Sequence, residues 1–468
     1  MNRTVRRSAL LLSVVGAVIG GLAIAAISWW VLWHLLGARA ETPNQVDLSK
    51  IALAVTAVVG GAVLLVVVYR RQRDLERGRF AELFGAAARQ LGDPDPAVRI
   101  AGVYALAGVA DEFAMPVRRQ QCVDVLCGYL RLPYVPDEGS SHLVSKAQRV
   151  KDSGTSVERV YAYRNNDRQV RHTIVRVIAD RLRPTAETPW SACDFDFSEV
   201  VFEDADFART VFSGRETRFC DAIFVGDRTS FAHARFIGER ITFRRAIFRE
   251  GGRFDHAVFA PVGPAGTGPE AAGVTFTDTV FAGPTSFESA QFGGPRTEFV
   301  RTTFGGDRTT FASARFASAV TSFERALFDG GRVAFTAATF TGASVAFTAT
   351  RFYADACVFD CAQLGGNSRW RGGRTREITF ARAEYQGKVS FVDAVFGGRS
   401  VTFTGGDFFG EIDFQRAAFD ARAITFDKPK AWIGVQVDWD ASPVTKPANI
   451  SPAHWPPVPA GATPEPAS

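Results

Sequence analysis

The sequence predicts a multidomain chain: two transmembrane helices, a small all-α segment, then a long parallel β-solenoid. Three observations carry this. Residues 9–36 and 51–69 hold no formal charge, and about 20 apolar residues span a bilayer as a helix. Residues 73–183 place apolar side chains at steps of three and four, a helical period. From Phe195 to Phe426, phenylalanines return at alternating steps of five and seven, as in Phe231, Phe236, Phe243 and Phe248. Neither a helix nor a single strand has that period. The expected organisation is an anchor over 1–72, a helical connecting region over 73–190, a solenoid over 191–430, and a cap with a disordered Pro-rich tail over 431–468.

The first uncharged stretch carries Trp29, Trp30 and Trp33 near its end, where an interfacial belt would lie. A cleaved signal is the competing reading, with Arg3, Arg6 and Arg7 as a basic start and Ala38-Arg39-Ala40 as a small-residue site. A signal core of about 7–15 residues is much shorter than this stretch. Arg70, Arg71, Arg73, Arg77 and Arg79 follow the second stretch, while 37–50 has balanced charge. The positive-inside rule then places the N-terminus and the main body in the cytoplasm of a multi-pass cell-membrane protein.

In the helical region, Asp93-Pro94-Asp95-Pro96 supplies a helix stop, a cap and a first-turn proline. Residues 91–110 resemble a single HEAT-type hairpin. "QQCVDVLCGYLRL" reads as a further helix. "RQVRHTIVRVIADRLR" reads as another, with Val170, Ile174, Val175 and Ile178 on one side, arginines on the other, and His172 exposed. Residues 135–158 read as a mobile connector. The six cysteines, Cys122, Cys127, Cys193, Cys220, Cys357 and Cys361, lack metal-ligand spacing and read as core-filling residues.

In the repeat, a small residue sits two before the second marker of each pair, as at Ala234, Ala246, Ala290, Thr302, Ala314 and Ala326. Thr, Val or Ile sits two before the first marker, as at Thr229, Ile241, Thr309, Thr321 and Val345. Residues two apart on an extended segment point the same way. Each short segment therefore sends a small residue and a ring inward and then turns, which builds a parallel solenoid. Leu364 and Tyr385 stand at marker positions.

With these residues the sequence resembles the pentapeptide-repeat family, in its phenylalanine-centred form, over about half the chain. The resemblance implies a right-handed, quadrilateral β-helix. This chain departs from the strict period by adding two residues, often with glycine, at alternate turns ("IGERITF", "GGDRTTF"). A turn then takes about 24 residues. About nine coils follow, in a rod roughly 43 Å long at about 4.8 Å per coil. "DKPKAWIGVQVDWD" reads as a cap on the last coil.

The function expected is a membrane-anchored protein-interaction or scaffold module, not an enzyme, with no cofactor, no metal and no nucleic acid as partner. Some pentapeptide-repeat proteins mimic DNA and protect a topoisomerase, but residues 191–430 carry 28 basic and 29 acidic residues, far from a dense acidic surface. Only the first coils are acidic, through Asp194, Asp196, Glu199, Glu203, Asp204 and Asp206. An unrecognised catalytic site is the other alternative, though no nucleophile elbow, phosphate loop or metal-spaced carboxylates occur. His233 and His256 fall two residues after markers on the same side of successive coils and should stack as exposed rings.

Two candidate interaction surfaces emerge. Counting sides in fours, Ile223, Ile247, Val280, Thr303 and Leu327 form one outward column, a contact strip for the helical region, a protein partner or a second copy. Arg235, Val258, Gln291, Arg315 and Thr339 form the opposite one. The second surface is an arginine-rich loop holding Arg369, Trp370, Arg371, Arg374 and Arg376, one of two insertions that should leave the rod from the same edge.

Overall fold

The computed structural model describes residues 44–113, 115–136, 145–152, 155–162, 167–263, 272–365, 377–440 and 445–460, with scattered positions between 23 and 34. The chain divides into two units, Met1–Gly85 and Ala86–Ser468.

Helix α1 (Asn44–Leu91) is continuous for 48 residues. Among the described residues no helix is long and apolar enough to cross a membrane. This overturns the two expected spans, 9–36 and 51–69, and with them the multi-pass placement and cytoplasmic body. The first span lies mostly outside the described residues. The second lies inside α1, which runs on past Tyr69 through Arg70, Arg71 and Arg73.

In the second unit, α1 ends at the expected Asp-Pro turn. The Asp95 carboxylate accepts from Ala97 N (2.8 Å) and caps α2 (Pro96–Glu112), with proline in its first turn. Gly102 lets α2 lie against the end of α1: a Cβ there would meet Leu91 N at 2.5 Å. Helix α3 (Pro116–Leu130) follows. The supposed connector instead holds an antiparallel hairpin, β1 (Ser145–Asp152) and β2 (Thr155–Ala162), in register from Ser145–Ala162 to Asp152–Thr155. Helix α4 (Asp167–Leu182) then packs on α2 and α3.

The remainder is a four-sided parallel β-solenoid. Its sides carry eleven, ten, eight and nine strands, visited in the order one to four on each turn. That is about ten turns, more than the nine expected. Strands Ala431–Trp432 and Val435–Gln436 continue the coil, and Ile450–Ser451 pairs with the strand at Ala423–Thr425. The proline-rich composition had marked that last segment as disordered; its strand is held by Ile424 N bonding Asn449 O and Phe426 N bonding Ser451 O, both at 2.9 Å.

The alternating steps now have a cause. The five-residue step is a tight corner, from side one to two and from three to four. Ala246 N donates to Phe243 O (2.9 Å) and Ala234 N to Phe231 O (3.0 Å). The third residue of such turns takes a positive φ, as at His233 (58°) and Arg245 (57°), and glycine fills it at Gly405 (68°). Such backbone costs about 1–3 kcal/mol unless its surroundings over-determine it. Here its N–H is locked to the next coil, His233 N to Asp255 O (2.8 Å) and Arg245 N to Thr277 O (3.0 Å). The longer step is a looser corner, where glycines let coils stack: a Cβ on Gly238 would sit 2.0 Å from Gly214 O.

Four columns of rings fill the axis. Along a column the planes are parallel, as for Phe276, Phe299 and Phe323 with centroids 4.8 Å apart. Across the axis they meet edge to face, as for Phe299 and Phe311 at 86°. Both geometries suit the ring quadrupole. Tyr385 continues the second column between Phe352 and Phe408, and Leu364 interrupts the fourth between Phe340 and Phe396.

Candidate interaction surfaces

The fold leaves the axis closed and the sides open, so any site must be assembled from outward columns and ends. Strand register confirms the first column on side two. Ile247 lies between Ile223 and Val280, and Val280, Thr303 and Leu327 follow in turn. The column passes to Arg351 and Glu384 beyond Leu327, so the apolar strip is confined to the N-terminal half of the side. Ile247 is 37% exposed and Ile223, Val280 and Leu327 are half-buried. Arg235, Val258, Gln291, Arg315 and Thr339 align on side four.

Arg369, Trp370, Arg371, Arg374 and Arg376 lie outside the described residues. The strands that flank the two insertions are described. Each insertion joins side four to side one, after Val258–Phe259 and after Gln363–Leu364, and these strands are four rungs apart in one sheet. At about 4.8 Å per rung the two departures are roughly 19 Å apart on one edge.

The acidic first coil meets the helical region. Gln120 pairs twice with the Asp194 backbone (2.8 and 2.9 Å). Arg131 reaches Asp196 (3.1 Å), Arg168 and Tyr134 share Glu203, and Arg183 reaches Asp206 (3.2 Å). Burial pushes the Tyr134 hydroxyl up, and its bond to Glu203 adds to this. Burial also raises the Asp196 carboxyl, but hydrogen bonds from Ser198, with Arg131 and Arg218, outweigh it and hold it below the usual range. Asp196, Glu203 and Asp206 are therefore engaged in holding an end of the rod.

Behind this junction lies a buried charged network that the sequence did not reveal. Asp167 accepts from Arg99 (2.9 Å), Arg171 (2.7 Å) and Tyr129 (2.5 Å), and all four residues are buried. Two guanidiniums face one carboxylate. The excess positive charge is met by the C-terminal end of α3, where Arg171 donates to Leu130 O (2.7 Å) and Leu132 O (2.6 Å). His172 is half-buried, with its Nε2 enclosed and without a hydrogen-bond partner, rather than exposed.

Four cysteines, Cys122, Cys127, Cys193 and Cys357, are buried as core residues; Cys220 is half-buried and Cys361 exposed. Burial pushes the Cys122 thiol up to about 12 and Cys193 to about 11, which keeps them from acting as thiolates near neutrality. Among the described residues no group of three or more His, Cys, Asp or Glu is placed to hold a metal.

Two grooves indent the sides. On side one, Gly273 leaves a notch between Arg240 and Arg296, in a depression of about 550 Å³ that also holds Glu216 and Glu298. Glu216 binds Arg218 (2.6 Å) and Arg240 (3.3 Å), and Glu298 binds Arg296 (2.9 Å), so with Arg244 the lining sets four guanidiniums against two carboxylates. On side three a groove of about 920 Å³ lies against the end of α4. His233 and His256 stack there as expected, exposed, with centroids 4.8 Å apart and planes 9° from parallel. Arg209 occupies the same corner one coil earlier, a member the sequence reading missed although the same two-after-marker rule finds it from Phe207.

By its fold the chain is a parallel β-solenoid repeat protein with stacked phenylalanines and a small helical segment. No protein-family model, curated protein or solved structure matches it.

Proposed function

We propose that the protein is a non-catalytic interaction scaffold of the pentapeptide-repeat kind. The observation that carries this reading is the filled axis. Rings from Phe197 to Phe426 are buried on all four columns, so the interior offers no chamber for a substrate. What varies from coil to coil is the outside, where strand register holds unlike columns of side chains in fixed lines. A rigid side with an apolar strip suits a protein surface of matching length. The strip at Ile223, Ile247, Val280 and Leu327 is the proposed contact, for a protein partner or a second copy. The Arg369–Arg371 and Arg374–Arg376 loop is a proposed second contact, for an acidic surface.

The test compares the full chain with Ile247→Lys and with Trp370→Ala/Arg371→Ala/Arg374→Ala. Chemical cross-linking and sedimentation should show a complex or dimer that either variant weakens while circular dichroism stays unchanged. Equal recovery from all three proteins would overturn the assignment of these surfaces. Turnover of a small molecule by the purified chain would overturn the non-catalytic reading itself.

A further inference from the structure

We propose that the groove between the end of α4 and side three is a binding site for a small phosphate-type dianion, taken up together with protons. Arg209, His233 and His256 stand at the same corner position of three consecutive coils, with φ of 60°, 58° and 56°. Backbone bonds fix the register: Arg209 N donates to Ala232 O (2.9 Å) and His233 N to Asp255 O (2.8 Å). The three side chains therefore leave the rod in one line, about 4.8 Å apart per coil. The facing wall is Arg183, Pro184 and Thr185. It is pinned to the rod by Arg183, which donates to Asp206 (3.2 Å) and to Ala208 O (3.4 Å).

The charge count gives the groove its character. Its lining holds the guanidiniums of Arg183, Arg209 and Arg253 and the carboxylates of Asp206, Asp255 and Glu288. Three positive and three negative groups cancel, so the net charge of the lining is that of the two imidazoles. It is zero with both neutral and +2 with both protonated. Arg183 is held by Asp206 and by Asp180 (2.5 Å), which lies outside the lining, and Arg253 by Asp255 (3.4 Å). No ion pair engages Arg209, His233 or His256 among the described residues, and these are the donors free to meet a ligand.

The stacked rings then make the site selective. Two imidazolium rings at 4.8 Å repel. An anion accepting from both relieves that repulsion, so ligand binding and proton uptake favour each other by linkage. A compact tetrahedral dianion matches two imidazolium charges and offers diverging oxygens to Arg209 as well. A monocarboxylate supplies half the charge. Histidine is the side chain that ordinarily changes charge between about pH 5 and 8, which sets the two pH values of the test.

The test titrates the full-length protein with inorganic sulfate, a dianion throughout, at fixed ionic strength near pH 5.5 and near pH 7.5. Calorimetry should show at least about tenfold tighter binding at the lower pH, about 1.4 kcal/mol, with the imidazole NMR signals of both rings shifting together. With inorganic phosphate the gain should be smaller, because the ligand itself loses its second charge near pH 6–7. His233→Asn/His256→Asn keeps a residue that tolerates positive φ and should abolish the pH dependence. Arg209→Asn should weaken binding at both pH values. Sulfate binding that is equal at the two pH values, absent at both, or unchanged in the double variant would overturn the proposal. The interaction reading above concerns other surfaces and would stand or fall separately.

Discussion

The two ends of the rod are closed by different chemistry. At the N-terminal end, α3 and α4 sit on the first coil through polar bonds: Gln120 to Asp194, Arg131 to Asp196, Arg168 to Glu203 and Arg183 to Asp206. At the C-terminal end, tryptophans cover the last rings. Trp432 lies 5.7 Å from Phe426, Trp439 5.3 Å from Phe419, and Trp455 touches Phe426, Trp432 and Trp439. The difference follows from how each cap arrives. The helical region has a buried core of its own, and directional bonds set its orientation on the rod. The tail is already positioned by the coil it continues, through strand bonds and the Asn449 amide on Phe419 O (2.9 Å) and Ala421 O (2.6 Å), and the tryptophans add apolar area over the last rings. An exposed solenoid edge would otherwise template pairing with other chains.

The largest expected effect lies on the N-terminal side. Asp167→Ala removes a carboxylate that pairs with both the buried Arg99 and Arg171 guanidiniums. Removing one partner of a buried pair typically costs about 3–5 kcal/mol. Denaturation should show the helical signal lost at lower denaturant while the β signal of the rod persists. A single transition at the wild-type midpoint would show that the network is not what holds the helical cap.

At the other end, Trp439→Ala should cost on the order of 3 kcal/mol, because the ring is buried against Phe419. Hydrogen exchange should quicken at Ala423–Thr425 and Ile450–Ser451, with no change in α2 and α4. Exchange that quickens equally at both ends would mean the rod unfolds as one unit, and the comparison of the ends would lose its thermodynamic meaning.

Acid should also distinguish them. The Asp196 carboxyl is held below its ordinary value in the folded protein. A depressed folded value contributes stability that is present above the unfolded value, about pH 4, and is lost as pH falls through the folded one. Glu216, on the next coil, is shifted the same way: burial pulls it up, but bonds from Arg218 and Arg240 outweigh that. Proteolysis between α4 and the first coil should therefore accelerate below about pH 4, before the aromatic cap opens. Simultaneous cleavage at both ends would contradict this order.

The contrast also explains what the sequence disclosed. The rod was legible because every ring occupies an equivalent place, so the period repeats from Phe197 to Phe426. Register alone then placed Ile223 beside Ile247 and His233 beside His256. The caps have no period. An arginine on a helix reads as solvent-facing, and Arg171 looks like Arg176 in sequence, yet the first is buried on Asp167 and the second exposed. The tail strand at Ile450–Ser451 is set by its partner coil and not by its own proline-rich neighbours.

The smallest effect tests whether the polar cap works by many weak bonds or by its buried part. Arg131 and Asp196 are 44% and 37% exposed, and Arg183 and Asp206 are 31% and 58% exposed. Pairs so open to water contribute about 0–1 kcal/mol each, because solvent screens them and ordering two long side chains opposes them. Arg131→Ala should therefore lower stability by less than about 1 kcal/mol. The difference from wild type should vanish near 1 M salt, where the screening length falls to about 3 Å. Gln120→Ala acts differently. Its amide bonds both the carbonyl and the N–H of Asp194 in a part-buried setting, and neutral hydrogen bonds are insensitive to salt. Its loss should cost about 1–2 kcal/mol at every salt concentration. Equal salt dependence in the two variants would place the orientation of the cap in the exposed arginines, and the distinction between a directional N-terminal end and an area-driven C-terminal end would then rest on long-range charge.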